Sequence, residues 1–247
     1  MQNKITPIFT SDWSIGKSIL RIKPNKDPLG SDSIIDICKE FSIKDCYLLE
    51  NNMGGKLQTI PEFQKAGINL QMGFRATMED GTKMQFWAKD DIGNRLLEKF
   101  HTRMHTSENK TLSYEDAKNL YNESHIYIVT DFYDGFLAHN FMNLVSIAPK
   151  LNWFGKSNCF FAIQDNNLPF DKILSGITLD FCKNYDYSPT YVKSIYYKNK
   201  ADFLAWQTYK IATGRKTYKD ASLEKPEMDY CGSDNFCIED WKERGHK

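Results

Sequence analysis

A chain of 247 residues, 41% apolar and 14% aromatic, can bury the core of one α/β barrel or of two small domains. Its 32 basic and 32 acidic side chains cancel, which excludes the overall positive surface that non-specific nucleic-acid binding requires and leaves only a local patch for such a role. Its longest apolar runs, such as Cys159–Ile163, are far too short to span a bilayer, and Met1–Thr10 lacks the apolar stretch of a secretory leader.

The predicted elements alternate along the chain. A strand over Ile5–Thr10 is followed by a loop over Lys23–Gly30. Ser33–Phe41 places Ile34, Ile37, Cys38 and Phe41 on one face, which predicts a helix capped by Ser31 or Asp32. A strand over Asp45–Glu50, a helix over Leu57–Ala66, and strands over Ile68–Phe74 and Met84–Ala88 come next. The helix over Ile92–Met104 carries Leu96, Leu97, Phe100 and Met104, and that over Ser113–Tyr121 opens with a Ser-x-x-Asp box, Ser113 with Asp116. A strand over His125–Thr130, a helix over Gly135–Ala148, a strand over Cys159–Gln164, a helix over Leu168–Tyr185 and a strand over Thr190–Tyr196 complete the alternation. The last helix, Ala201–Ala212, closes at Gly214, a favourable residue beyond a helix end. Seven strand–helix alternations predict a parallel α/β barrel, with an open doubly wound sheet as the alternative. The polar stretch Thr217–Asn235 reads as an arm, so the chain divides into a barrel over 1–216 and a C-terminal extension over 217–247.

No cysteine pair has the Cys-x-x-Cys spacing, and Cys38, Cys46, Cys159 and Cys182 fall in apolar periodic segments. Reduced, buried thiols in a cytoplasmic protein are expected; Cys231 and Cys237, near the tail, could pair or bind metal, but two free thiols are the simpler reading. The glycine-rich phosphate loops and the Gly-x-Ser-x-Gly elbow are absent from the sequence. His101 and His105 have the spacing of a metal-ligand pair on a helix but lack the glutamate of the zincin motif, so ordinary helix histidines are the simpler reading. Asp131 and Asp134 follow a strand, where barrel active sites lie, or else cap the next helix. Tyr191–Lys200 interleaves basic and aromatic residues, as single-strand nucleic-acid binders do, although a barrel strand explains it equally.

The order of short segments carries more than any single motif. Ile8-Phe9-Thr10-Ser11-Asp12-Trp13-Ser14-Ile15-Gly16-Lys17 resembles His-x-His-Ser-Asp/Glu-Tyr-Ser-x-x-Asp, the first segment of the PHP domain of bacterial DNA polymerase III alpha subunits. Tyr47–Gly55 is similar to the second, Ala-Leu-Thr-Asp-His-Gly-Asn-Met-x-Gly, and Ala66–Arg75 to the third, Ala-Gly-Ile-Lys-Pro-Ile-Ile-Gly-x-Glu. Phe86–Lys89 with Gly93 and Leu96-Leu97, then Ser194–Tyr197, then Ala205–Lys216 resemble the later segments in order, from about Pro7 to Arg215.

The resemblance implies a distorted (β/α)7 PHP-type barrel whose family holds up to three metal ions at the strand ends. On this chain the former ligand positions carry Ile8, Thr10, Lys17, Leu49, Glu50, Arg75, His105, Phe132, Ser194 and Tyr196. Of these only Glu50 and His105 are donors at family positions, and Lys17 and Arg75 put positive charge where a cation would sit. No cofactor is expected. Lys17, Glu50 and Arg75 are expected to form an ion cluster, with Arg75 paired to Glu50 or Asp12 and with Asp131 a further acid that could balance it. What the resemblance implies is a free-standing, non-catalytic domain of DNA replication, cellular or phage-encoded, that binds a protein partner such as a polymerase or proofreading exonuclease. Trp153, Phe154, Trp241 and the arm are its candidate contact surfaces. The alternative is a metal-dependent phosphoesterase or 3′–5′ exonuclease with a shifted ligand set of Glu50, His101, His105 and Asp131.

Overall fold

The structure, a computed structural model, describes residues 4–24, 30–214 and 233–245. Seven strands close into one barrel in sequence order: β1 (Thr6–Phe9), β2 (Asp45–Glu50), β3 (Asn69–Thr77), β4 (Lys83–Ala88), β5 (Ile126–Thr130), β6 (Cys159–Ile163) and β7 (Ser188–Ile195). Helices α1 (Ile34–Glu40), α2 (Lys56–Ala66), α3 (Asp91–Thr106), α4 (Tyr114–Leu120), α5 (Phe136–Asn143), α6 (Asp171–Tyr185), α7 (Phe203–Gly214) and α8 (Ile238–Gly245) complete the described secondary structure with three short 3-10 turns. No helix among the described residues is long and apolar enough to cross a membrane.

The barrel is not wholly parallel, which corrects the expectation of seven equivalent alternations. β4 runs antiparallel to both β3 and β5. No helix separates β3 from β4. The chain reverses at Met78–Thr82, where Gly81 takes φ +81° and the Asp80 carboxylate accepts from both the backbone N–H and the hydroxyl of Thr82. Such a reversal needs a residue that tolerates positive φ, and Asp-Gly supplies it.

Helix boundaries follow local chemistry. Ser33, rather than Ser31 or Asp32, caps α1, its hydroxyl accepting from Asp36 N–H at 3.2 Å. Ser113 caps α4 as expected, but the box is only half made: its hydroxyl accepts from Asp116 N–H at 3.0 Å and donates to the Asp116 carboxylate at 2.8 Å. α5 stops at Asn143, short of the predicted Ala148, because Leu144 turns left-handed and the Asn140 amide grips both backbone groups of Ile147.

Period-two alternation divides the strands into two faces. Register pairs the outward Phe9 with Leu48, Glu50 with Phe74, and Phe74 with Phe86. The aromatic and aliphatic residues of this face pack beneath the helices as the main core. The inward face carries Ile8, Leu49, Trp87, Val129, Ala162 and Val192 in a second cluster. Gly73 lies opposite Trp87, and a Cβ there would stand 2.7 Å from the indole, so the missing side chain makes room for the ring inside the barrel. Cys38, Cys46, Cys159, Cys182 and Cys237 are free and buried, and Cys231 lies outside the described residues.

Candidate functional site

At the C-terminal ends of the parallel strands the inward face becomes polar. Thr10, Arg75, Gln85, Asp131, Gln164 and Ser194 meet there, none more than 7% exposed. Strand parity selects them: Arg75 pairs with Gln85 in register, and Gln85 with Val129, two residues before Asp131.

Arg75 pairs with Asp131, not with Glu50 or Asp12 as expected. Its Nε stands 3.0 Å from Asp131 Oδ2, an ionic contact outside hydrogen-bond geometry. Gln85 donates to the same oxygen at 2.9 Å and accepts from Trp87 Nε1 at 3.1 Å. Burial alone would lower the Arg75 pKa, but the Asp131 carboxylate, helped by Tyr196 and Asp134, holds it above its ordinary value. Asp134 joins the group through Lys83, 2.7 Å away. Burial opposes its charge, yet Lys83, Lys17 and Arg75 together keep its carboxyl below the usual range. Neither aspartate caps α5. Gly135 occupies the cap position, and a Cβ there would come within 2.0 Å of the Asp131 carbonyl.

Glu50 belongs to a different microenvironment. Parity puts it on the outer face of β2, under the loop after β1. Its carboxylate accepts from Ser11 N–H at 3.0 Å, from Ser11 Oγ at 2.5 Å and from Ser14 Oγ. Burial raises its pKa to about 7 against these hydrogen bonds, with Asp12 adding a smaller push. The expected Lys17–Glu50–Arg75 cluster is therefore split. Lys17 is half-buried and acts on Asp134.

The strand ends are roofed. Tyr196 stacks on Trp206 of α7 and on Phe236, with ring centroids 5.7 and 5.6 Å apart. Trp206 Nε1 donates to the Lys17 carbonyl at 2.8 Å. Beside this roof a chain of polar contacts runs from Ser194 N–H to Gln164, from Asn166 to Tyr133 and from Tyr133 to Asp171. The Asp171 carboxyl is raised, chiefly by burial, although Asn166 and Leu168 N–H groups donate to it. Ile8, Leu49 and Phe132 are packed in the interior cluster.

The shifted ligand set is not brought together. His101 and His105 lie side by side on α3, their ring centroids 4.3 Å apart and tilted by 51°, with His101 edge-on to the outward ring of Phe74, on the outside of the barrel wall. Burial, then the charge of His105, lowers the His101 pKa. Among the described residues no three His, Cys, Asp or Glu side chains gather as a metal-binding group.

Tyr191–Lys200 does not present a basic, aromatic strip. Lys193 is buried against Asp240, Lys198 pairs with Glu40 and Lys200 with Glu243. Of the expected contact surfaces, Phe154 is buried, and the Trp153 ring has the ammonium groups of Lys118 and Lys150 against it, 4.9 and 4.6 Å from its centroid. Trp241 donates to the Ile5 carbonyl at 2.9 Å, and Thr217–Gly232 lies outside the described residues. The sequence reading overlooked Gln85, Gln164, Trp206 and Phe236. For the two glutamines a signal was present: each is a polar residue at an inward position of an apolar strand.

No protein-family model and no curated protein matches the chain. Among solved structures, a Bifidobacterium adolescentis protein assigned as a metal-dependent phosphoesterase is 6% identical, covering 76% of this chain and 86% of its own, with a TM-score of 0.45. PsfC from Pseudomonas syringae is 12% identical, covering 76% and 75%, with a TM-score of 0.39. At these values neither likeness bears on function.

Proposed function

We propose that the chain is a PHP-like barrel whose strand-end site serves structure rather than chemistry, and that it acts as a protein-binding module of DNA replication. The observation that carries this reading is the Arg75–Asp131 pair, buried beneath Tyr196, Trp206 and Phe236. A guanidinium fixed at that point opposes a divalent cation, and its carboxylate partner is already neutralised. The hydroxyls of Ser11 and Ser14 take up the carboxylate oxygens of the other acid, Glu50, without neutralising it. The replication role rests on the ordered resemblance of the PHP segments, and a polymerase or its proofreading exonuclease is the partner class that follows from it.

The test has two arms. Calorimetric titration with Mn²⁺ and Zn²⁺, and assays on a phosphomonoester and on single-stranded DNA, should give neither saturable binding nor turnover. Affinity capture from the native cell should enrich replication proteins over a matched control. Metal-dependent turnover that disappears in Glu50→Gln or Asp131→Asn, in folded protein, would overturn the reading; so would capture with no replication protein enriched.

A further inference from the structure

The inward face is filled at the strand ends and hollow at the opposite end of the barrel. A cavity of about 320 Å³ opens there, at the small end of the range for ligand pockets, about 300–1,000 Å³. Tyr47, Trp87, Tyr127 and Phe160 wall it. Trp87 and Tyr127 lie within 5° of parallel at 6.2 Å. Tyr47 meets Trp87 edge-on at 5.9 Å, and Phe160 meets Tyr127 edge-on at 6.0 Å. Tyr47, Tyr127 and Phe160 point into the barrel yet are only half-buried. Barrel interiors are ordinarily filled by layers of side chains, so a hollow, aromatic layer calls for an occupant.

One cation stands at the rim. Lys89 Nζ donates to the Glu123 carbonyl at 2.7 Å and to Asn158 Oδ1 at 2.6 Å. Both acceptors are uncharged, and among the described residues no carboxylate pairs with Lys89. An ammonium has three donors, so one remains for an incoming group. We propose that this cavity binds a small aromatic carboxylate, its ring against the aromatic walls and its carboxylate on Lys89. An aromatic box alone would also suit a quaternary ammonium, but the fixed charge of Lys89 repels one. A neutral ring would forgo the pairing of opposite charges, in which donor and acceptor are both ionised. The cavity lies at the end of the barrel away from Arg75 and Asp131, so the inference stands apart from the proposed function.

Calorimetry on the full chain with benzoate, its uncharged counterpart benzamide, and tetramethylammonium tests the assignment. Benzoate should bind saturably and more tightly than benzamide, and tetramethylammonium should not bind. Lys89→Met alters only a rim side chain and should weaken benzoate by about tenfold, abolishing its advantage over benzamide. Thr190→Trp, built to fill the cavity and checked for folding by circular dichroism, should eliminate both. Absence of saturable benzoate binding up to about 10 mM, unchanged benzoate affinity in Lys89→Met, or a preference for tetramethylammonium would each overturn the proposal.

Discussion

Glu50 is a buried acid whose ionised form is held by hydroxyls and one amide and, among the described residues, by no cation. Its folded pKa, about 7, lies above its ordinary 4.5. A group raised in this way contributes stability that is full below its unfolded value and is lost as pH rises through its folded value. Between pH 5 and pH 8 the loss should reach roughly 3 kcal/mol, at about 1.36 kcal/mol per pH unit. Glu50→Gln should flatten that part of the stability–pH curve, as measured by urea unfolding. Asp134, whose pKa is lowered, acts in the opposite sense and in a more acid window, where its contribution is lost as pH falls. An unchanged slope between pH 5 and pH 8 in Glu50→Gln would place the titration elsewhere. Arg75 and Asp131 form a closed pair, so removing one member should cost far more than removing both. Asp131→Leu or Arg75→Met alone should destabilise by about 3–5 kcal/mol, because each strands a buried charge. The double variant should recover most of that loss. Additive effects in the double-mutant cycle would show that the two charges do not depend on each other. The sequence showed that Arg75 needed an acid but not which one. Family order suggested Glu50, whereas strand parity puts Glu50 on the face of Phe74 and Arg75 on the opposite face with Leu49.

At the scale of elements, the strands were legible because each is a short apolar run, and β2 has the predicted bounds. The direction of β4 was not legible from apolar runs, since period two is the same in parallel and antiparallel strands. The Glu79-Asp80-Gly81 turn carried that information. It is a hairpin signal, and the seven-alternation reading passed over it. α8 illustrates what local pattern cannot reveal. It is held by partners distant in sequence: Asp240 meets the buried Lys193 of β7, and Arg244 meets both Asp240 and Asp165 at 3.0 and 2.9 Å. Burial lowers the Lys193 pKa even with Asp240 beside it. Asp240→Asn should therefore leave Lys193 poorly compensated and loosen α8. We expect faster limited proteolysis near α8 and a stability loss of about 3 kcal/mol. Equal cleavage rates in the two proteins would mean that Trp241 and Ile238 hold the helix without the charges.

At the scale of the whole molecule, the fold divides its interior between a sealed polar end and a hollow aromatic one. Of the polar end, the PHP resemblance named Thr10, Arg75 and Ser194, but neither the glutamines beside them nor the roof. Trp206 and Phe236 lie ten and forty residues beyond Tyr196, and no periodicity links them to it. The hollow end left a fainter trace. Tyr47, Trp87, Tyr127 and Phe160 look like ordinary strand aromatics until closure of the barrel turns them toward one another.

That closure also sets the order of events during synthesis. β1 completes the ring only by pairing with β7, Thr6 with Val192 and Phe9 with Ile195. A ribosome releases β1 long before β7 exists, so one edge of β1 waits without its neighbour while most of the chain is made. Pairing across such a sequence separation makes folding slow, since the loop must be closed before the contact repays it. The Trp241 bond to Ile5 comes later still. Until β7 is made, β1 can pair with β2 alone, and its other edge offers unpaired backbone groups to any strand that meets it.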